Sequence, residues 1–149
     1  PTTTYYNTID FVSIATLGDA QDFGDLTKGK SWTAVCSNPT RMLIGGGSIA
    51  PDGNTAVSEM EYITISTTGN ATMFGDLNRV VDTGAYAGSG VASSTRGVFN
   101  TGLFKNPGTT YDNTLYYVEI STTGKAIDFG DLDGKRYGVQ TASNGHGGL

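Results

Sequence analysis

The sequence predicts an all-β protein made of three copies of one unit, and three observations lead there. The tetrapeptide Phe-Gly-Asp-Leu occurs as Phe23-Gly24-Asp25-Leu26, Phe74-Gly75-Asp76-Leu77 and Phe129-Gly130-Asp131-Leu132. These copies lie 74 − 23 = 51 and 129 − 74 = 55 residues apart, a spacing typical of repeat architectures. The segments before each copy alternate with period two, as strands do. Composition agrees: the 149 residues include 22 Gly, 37% are hydrophobic and only 15% are charged, with Thr and Ser throughout. Such a chain suits short strands and tight turns.

Each unit opens on a strand, Ile9 to Ile14, Met60 to Ile65 and Leu115 to Ile120. One face carries Val12 and Ile14, Ile63 and Ile65, or Val118 and Ile120, and the other carries Phe11, Tyr62 or Tyr117. Apolar groups on both faces predict a sheet covered on both sides. Glu59 and Glu61 share one face of the second copy and read as solvated surface. Next come Ala15 to Ala20, Ser66 to Ala71 and Ser121 to Ala126, whose Gly predicts a hairpin turn. The return strand ends in the tetrapeptide, with Phe and Leu inward and Asp tying down a turn through nearby amides.

Small-residue strands follow, over Trp32 to Ser37, Tyr86 to Ser93 and Tyr137 to Ser143. A fourth strand begins after Arg41 and Arg96, running through Met42-Leu43-Ile44 into Gly45-Gly46-Gly47 and through Gly97-Val98-Phe99 into Asn100-Thr101-Gly102. The third copy has His146-Gly147 where the others carry Thr40-Arg41 and Thr95-Arg96. The stretches Ser48 to Ser58 and Leu103 to Asn113, with Pro51 and Pro107, read as surface loops. The whole is one repeat domain over 1–149, with copies at approximately 1–40, 41–94 and 95–149.

A four-stranded unit of ~50 residues fits a β-propeller blade, whose two faces pack on neighbouring blades. Three blades do not close a ring, so two chains would combine to give six, or the chain is a segment of a longer repeat protein. A β-trefoil has the same dimensions and is the alternative.

The order Arg-x-x-x-Gly-Gly-Gly, aromatic-bearing strand, turn and Phe-Gly-Asp-Leu strand resembles a degenerate kelch-type blade. It resembles more closely the kelch-like tandem repeats of bacteriophage structural proteins, notably tail-fibre-like proteins of cyanobacterial and marine phages. Thr67-Thr68-Gly69-Asn70-Ala71, the three tetrapeptides and Ser94-Thr95-Arg96-Gly97 carry the likeness, which covers nearly the whole chain. The sequence departs from the kelch pattern at Asn100-Thr101-Gly102 and lacks a regular Trp. The resemblance implies a non-enzymatic virion structural protein, a tail-fibre or surface-decoration component on the particle surface. Its partners would be copies of itself or other virion proteins, together with a host-surface glycan. A secreted carbohydrate-binding module is the alternative.

The chemistry agrees with a non-enzyme. Net charge is −5 with no Lys/Arg cluster, which argues against nucleic acid. No apolar run approaches the ~20 residues of a membrane-spanning helix. Asp19, Asp22 and Asp25 resemble an oxygen-rich metal loop, but the equivalents Asn70, Met73 and Lys125 do not repeat it, so no metal or other cofactor is expected. Cys36 alternates with Trp32 and Ala34 and reads as a small core residue. Its one available base is His146, too little for a catalytic set or a zinc site. Arg41 and Arg96, placed alike in two copies, brace a neighbouring strand or touch a ligand or subunit. Trp32, Tyr86 and Tyr137 are candidates for sugar stacking or an interface. Tyr5 and Tyr6 are interface candidates.

Overall fold

The computed structural model describes residues 4–49, 55–77, 85–86, 88–100, 102–105, 109–136 and 138–143. Among them the chain is all-β, without a helix. The strands are β1 (Thr8–Phe11), β2 (Gln21–Asp25), β3 (Lys30–Ser31), β4 (Ala34–Ser37), β5 (Arg41–Gly45), β6 (Ser48–Ile49), β7 (Thr55–Ala56), β8 (Glu59–Thr64) and β9 (Thr72–Asp76), then β10 (Ala85–Tyr86), β11 (Ser89–Ala92), β12 (Arg96–Asn100), β13 (Leu103–Lys105), β14 (Thr109–Glu119) and β15 (Ile127–Arg136).

Antiparallel sheets form, none of them closed. A central sheet has the order β4-β5-β8-β9. A trailing sheet repeats it as β11-β12-β14-β15. A leading sheet holds only β1 and β2, the equivalents of β8 and β9. The small-residue strand and the strand after the repeated Arg thus form one half of each complete sheet. The aromatic strand and the Phe-Gly-Asp strand form the other.

The expected loops are partly strands. Ser48–Ile49 pairs with Lys30–Ser31 on one side and Thr55–Ala56 on the other. A second ribbon lies in the next unit, where β13 pairs with β10 and with the start of β14. Extending the loop as strands gives its backbone donors and acceptors ladder partners. In the trailing unit β14 runs unbroken through ribbon and sheet. Pro51 and Pro107 lie outside the described residues.

Two further expectations change. Residues 138–143 form no regular strand, and β15 runs on to Arg136. They lie along β11 through side chains: the Thr141 hydroxyl donates to the Gly90 carbonyl at 2.8 Å and Ser143 to Ala92 at 2.7 Å. Hydroxyls there take carbonyls that a backbone ladder would otherwise claim. The hairpin turn also comes earlier than Thr-Thr-Gly. Thr67 N–H donates to Thr64 at 3.2 Å and Thr122 to Glu119 at 3.1 Å, which leaves Gly69 and Gly124 beyond the turn.

Those glycines join successive sheets. Gly69 N–H donates to the Phe23 carbonyl at 2.7 Å and Ala71 N–H to Asp25 at 2.8 Å. One unit later Gly124 donates to Phe74 at 2.9 Å and Ala126 to Asp76 at 2.8 Å. The two repeated motifs are therefore the two halves of one joint. The motif glycines have φ of +149° (Gly24), +157° (Gly75) and +140° (Gly130), a region that essentially only Gly occupies. A Cβ on Gly24 or Gly75 would also strike the carbonyl of Gly69 or Gly124. The joint contacts use the backbone of Asp25 and Asp76, at the ends of β2 and β9, whereas the sequence reading gave their carboxylates a turn to tie.

Apolar packing does the rest. Phe23, with Ile9 and Leu26, meets Ile63, Ala71 and Met42 of the central sheet. The larger cluster sets Leu43, Met60, Phe74 and Leu77 against Phe99, Val118, Ile120 and Ala126. Burial is worth about 1.5–3 kcal/mol for each large apolar side chain against about 0.5–1.5 kcal/mol for each hydrogen bond. The side chains hold the joints and the bonds set their register.

Candidate functional site

The repeat makes the exposed ends of the stack legible. Phe74 is 3% exposed and its equivalent Phe129 is 53% exposed. Around Phe129 lies an open groove of about 670 Å³ lined by Val91, Val98, Leu115 and Leu132, with Ala142 from the segment after β15. These positions match Cys36, Leu43, Met60 and Leu77, all buried in the central-to-trailing joint. At the other end Val12 is 57% and Ile14 99% exposed, where the matching Val118 and Ile120 are 4% and 0% exposed. Leu17 stands out beside them. One end presents a joint's receiving half, and the other presents its entering half.

Within every unit an aromatic edge contact stiffens the receiving half. Phe11 meets Phe23, Tyr62 meets Phe74 and Tyr117 meets Phe129, with ring centroids 6.0, 6.1 and 6.0 Å apart. Phe129 is thus held in position although it is exposed.

The two arginines divide by their place in the stack. Arg41 lies over the Tyr62 ring, 4.5 Å from its centroid, and donates to the Ile120 carbonyl of the trailing sheet at 2.9 Å. Arg96 lies over Tyr117 at 5.0 Å and pairs with Glu119 at 2.6 Å on the exposed face. Asn38 adds a second brace, donating to the Ser94 carbonyl at 2.9 Å while its own oxygen accepts from the Thr40 and Arg41 amides.

Trp32 departs from its expected place. It does not alternate with Ala34 and Cys36, because the chain turns between β3 and β4 with Trp32 at φ +61°, and the indole is exposed. Tyr6 is exposed and Tyr5 half-buried, its carbonyl close to Gly29. Tyr86 contributes backbone to β10, and its side chain lies outside the described residues, as do Tyr137 and His146. Cys36 is buried between central and trailing sheets beside Gly97, and burial pushes its thiol up to about 12. A thiol so protonated is inert at neutral pH.

Glu59 and Glu61 are not a solvated pair. Glu61 is fully buried and forms an ion pair with the equally buried Lys30, and its other oxygen accepts from the Thr27 amide at 2.8 Å. The reason is the segment after β2, which lies across β8 and covers it. Burial pushes the Glu61 carboxyl up, but the bonds from Lys30 and Thr27 more than offset this and hold it below its ordinary value. Glu59 pairs with Lys28 at 2.7 Å in a more exposed position.

Sequence reasoning also missed Asn7 and Asn113, each donating from its side chain to the carbonyl of its unit's motif Leu at 3.2 Å. Their separation, 113 − 7 = 106, is the sum of the two repeat spacings, so extending the repeat alignment upstream exposes them. Among the described residues no three His, Cys, Asp or Glu side chains gather as a metal-binding set. No protein-family model matches the chain, and no curated protein matches it significantly.

Proposed function

We propose that this chain is a non-enzymatic structural protein of a virus particle, a tail-fibre or surface-decoration component whose sheets are kelch-like β-propeller blades. One observation carries the assembly role. Each end of the stack displays apolar positions whose equivalents are buried at the joint between central and trailing sheets, Phe129 and Leu132 on one side, Val12 and Ile14 on the other. Exposed patches of this kind mark interaction surfaces.

The blade reading draws support from four-stranded antiparallel sheets that stack face on face in sequence order. Small residues let their first strands approach: Gly90 lies against the Val35 carbonyl and Gly88 against Ala34. The particle location rests on the resemblance of the motifs to phage repeats. The partners are copies of the chain or other virion proteins, with no nucleic acid, membrane insertion or cofactor involved. Mass spectrometry of purified particles from cells making this protein tests it. Several copies per particle are expected; detection in the cell lysate but not in the particles refutes the reading.

Trp32 favours a second role, adhesion to a host-surface glycan. An exposed indole held at positive φ is a costly arrangement for a non-glycine residue, and its flat face suits the stacking of a sugar ring. Binding on a glycan array, lost in Trp32→Ala, is the expected result.

A further inference from the structure

We propose that the open groove on the trailing sheet receives the leading sheet of a second copy of this chain, and that two copies close into a ring with two equal joints. The proposal rests on the assembly role above and names the partner for it.

The internal joints supply the template. The Phe23 and Asp25 carbonyls receive Gly69 and Ala71, and the Phe74 and Asp76 carbonyls receive Gly124 and Ala126. By the same repeat spacing, the Phe129 and Asp131 carbonyls receive Gly18 and Ala20 of the second copy. The space for this is present. Gly24 and Gly75 each approach the next unit's glycine so closely that a Cβ would collide, whereas nothing lies within 4 Å of a Cβ on their equivalent Gly130. Val12 and Ile14 then enter the groove at Phe129, Leu115 and Leu132, as Val118 and Ile120 enter theirs.

Two further features match. The Arg41 guanidinium reaches the Ile120 carbonyl, and Arg96, already held over Tyr117, stands where it would reach Ile14 of the second copy. Residues 138–143 lie beside β11 as β11 lies beside β4: Gly90 contacts Val35, and Thr141, 51 residues on, contacts Gly90. They line the inner wall of the groove, leaving its outer part for β1 and β2 of the partner. A head-to-tail contact closes as a ring or grows as a filament. Propellers close with about four to eight blades, and two copies bring six sheets where three would bring nine.

The test pairs two charge insertions on opposite faces. The unmodified chain is expected to sediment as a dimer that dissociates on dilution. Phe129→Asp and Ile14→Asp each weaken the dissociation constant by about 30-fold or more. Mixing the two variants places both charges in one joint and leaves the other intact. The mixture therefore forms a one-to-one pair that is tighter than either variant alone and weaker than the unmodified chain. Circular dichroism confirms that both variants remain folded, and exposure of both side chains makes folding the expected outcome. A monomer at every dilution, growth beyond two copies, variants that associate normally, or a mixture that associates no better than either variant alone each overturns the proposal. Particle incorporation of the unmodified chain is a separate readout. A monomer that still enters particles keeps the structural role and gives the groove to another virion protein.

Discussion

The joint between central and trailing sheets and the groove beyond the trailing sheet are built on equivalent positions of the repeat, yet one is a core and the other a surface. Phe74 and Phe129 are followed by the same Gly-Asp-Leu and each meets the equivalent Tyr of its unit. Their difference in exposure comes from what covers them. The lesson concerns repeats: a unit's fold is local, but its core is shared with the next unit. Residue type alone cannot say whether such a position is buried.

The sharpest way to break this comparison is to truncate both phenylalanines. Phe74→Ala removes a ring packed between two sheets and should cost about 3–5 kcal/mol. Phe129→Ala, measured at a dilution where the chain is monomeric, should cost less than about 1 kcal/mol. Denaturant midpoints for the two variants check it. Equal losses would mean that the groove is already filled in the isolated chain.

Much of this architecture was legible in the sequence. The period-two segments became β1, β8 and β14, and the tetrapeptide with its glycine became the return strands, since alternation and glycine punctuation are local signals. The partner of the tetrapeptide was not legible: Gly69 and Gly124 read as turn residues because a glycine in a turn and a glycine whose N–H pairs with the neighbouring sheet look alike in one dimension. Val12 and Ile63 have the same residue character, so nothing local said that one is exposed and the other buried. Trp32 was lost to a left-handed residue that alternation does not anticipate.

Glu61 was the plainest miss, and it sharpens the comparison of units. Its equivalents are Asp10 in the leading sheet and Tyr116 in the trailing sheet. Among the described residues, only the central copy pairs a buried carboxylate with a buried lysine across a joint. Glu61→Gln should cost about 3 kcal/mol at neutral pH, because it leaves Lys30 buried without its counter-charge. The folded-state carboxyl lies below its ordinary value, so its stabilisation is full above the unfolded value of about 4.3 and is lost as pH falls through the folded value. The gap between parent and variant, read from denaturant midpoints, should therefore narrow in acid. A gap that stays constant into acid would assign the cost to shape rather than charge.

Trp32 offers the smallest effect and the cleanest separation of fold from recognition. A non-glycine residue in the left-handed region carries a cost of roughly 1–2 kcal/mol, and the exposed indole returns little packing. Trp32→Gly should therefore leave the protein as stable as before or about 1 kcal/mol more stable, while Trp32→Ala stays within about 0.5 kcal/mol. Thermal denaturation of the three proteins decides it. If Trp32→Gly is clearly destabilised, the indole is holding β3 and β4 together and its exposure is incidental. If stability is kept, the strain at φ +61° serves something outside the folded chain, and a surface that stacks on a partner is the chemistry an indole supplies there.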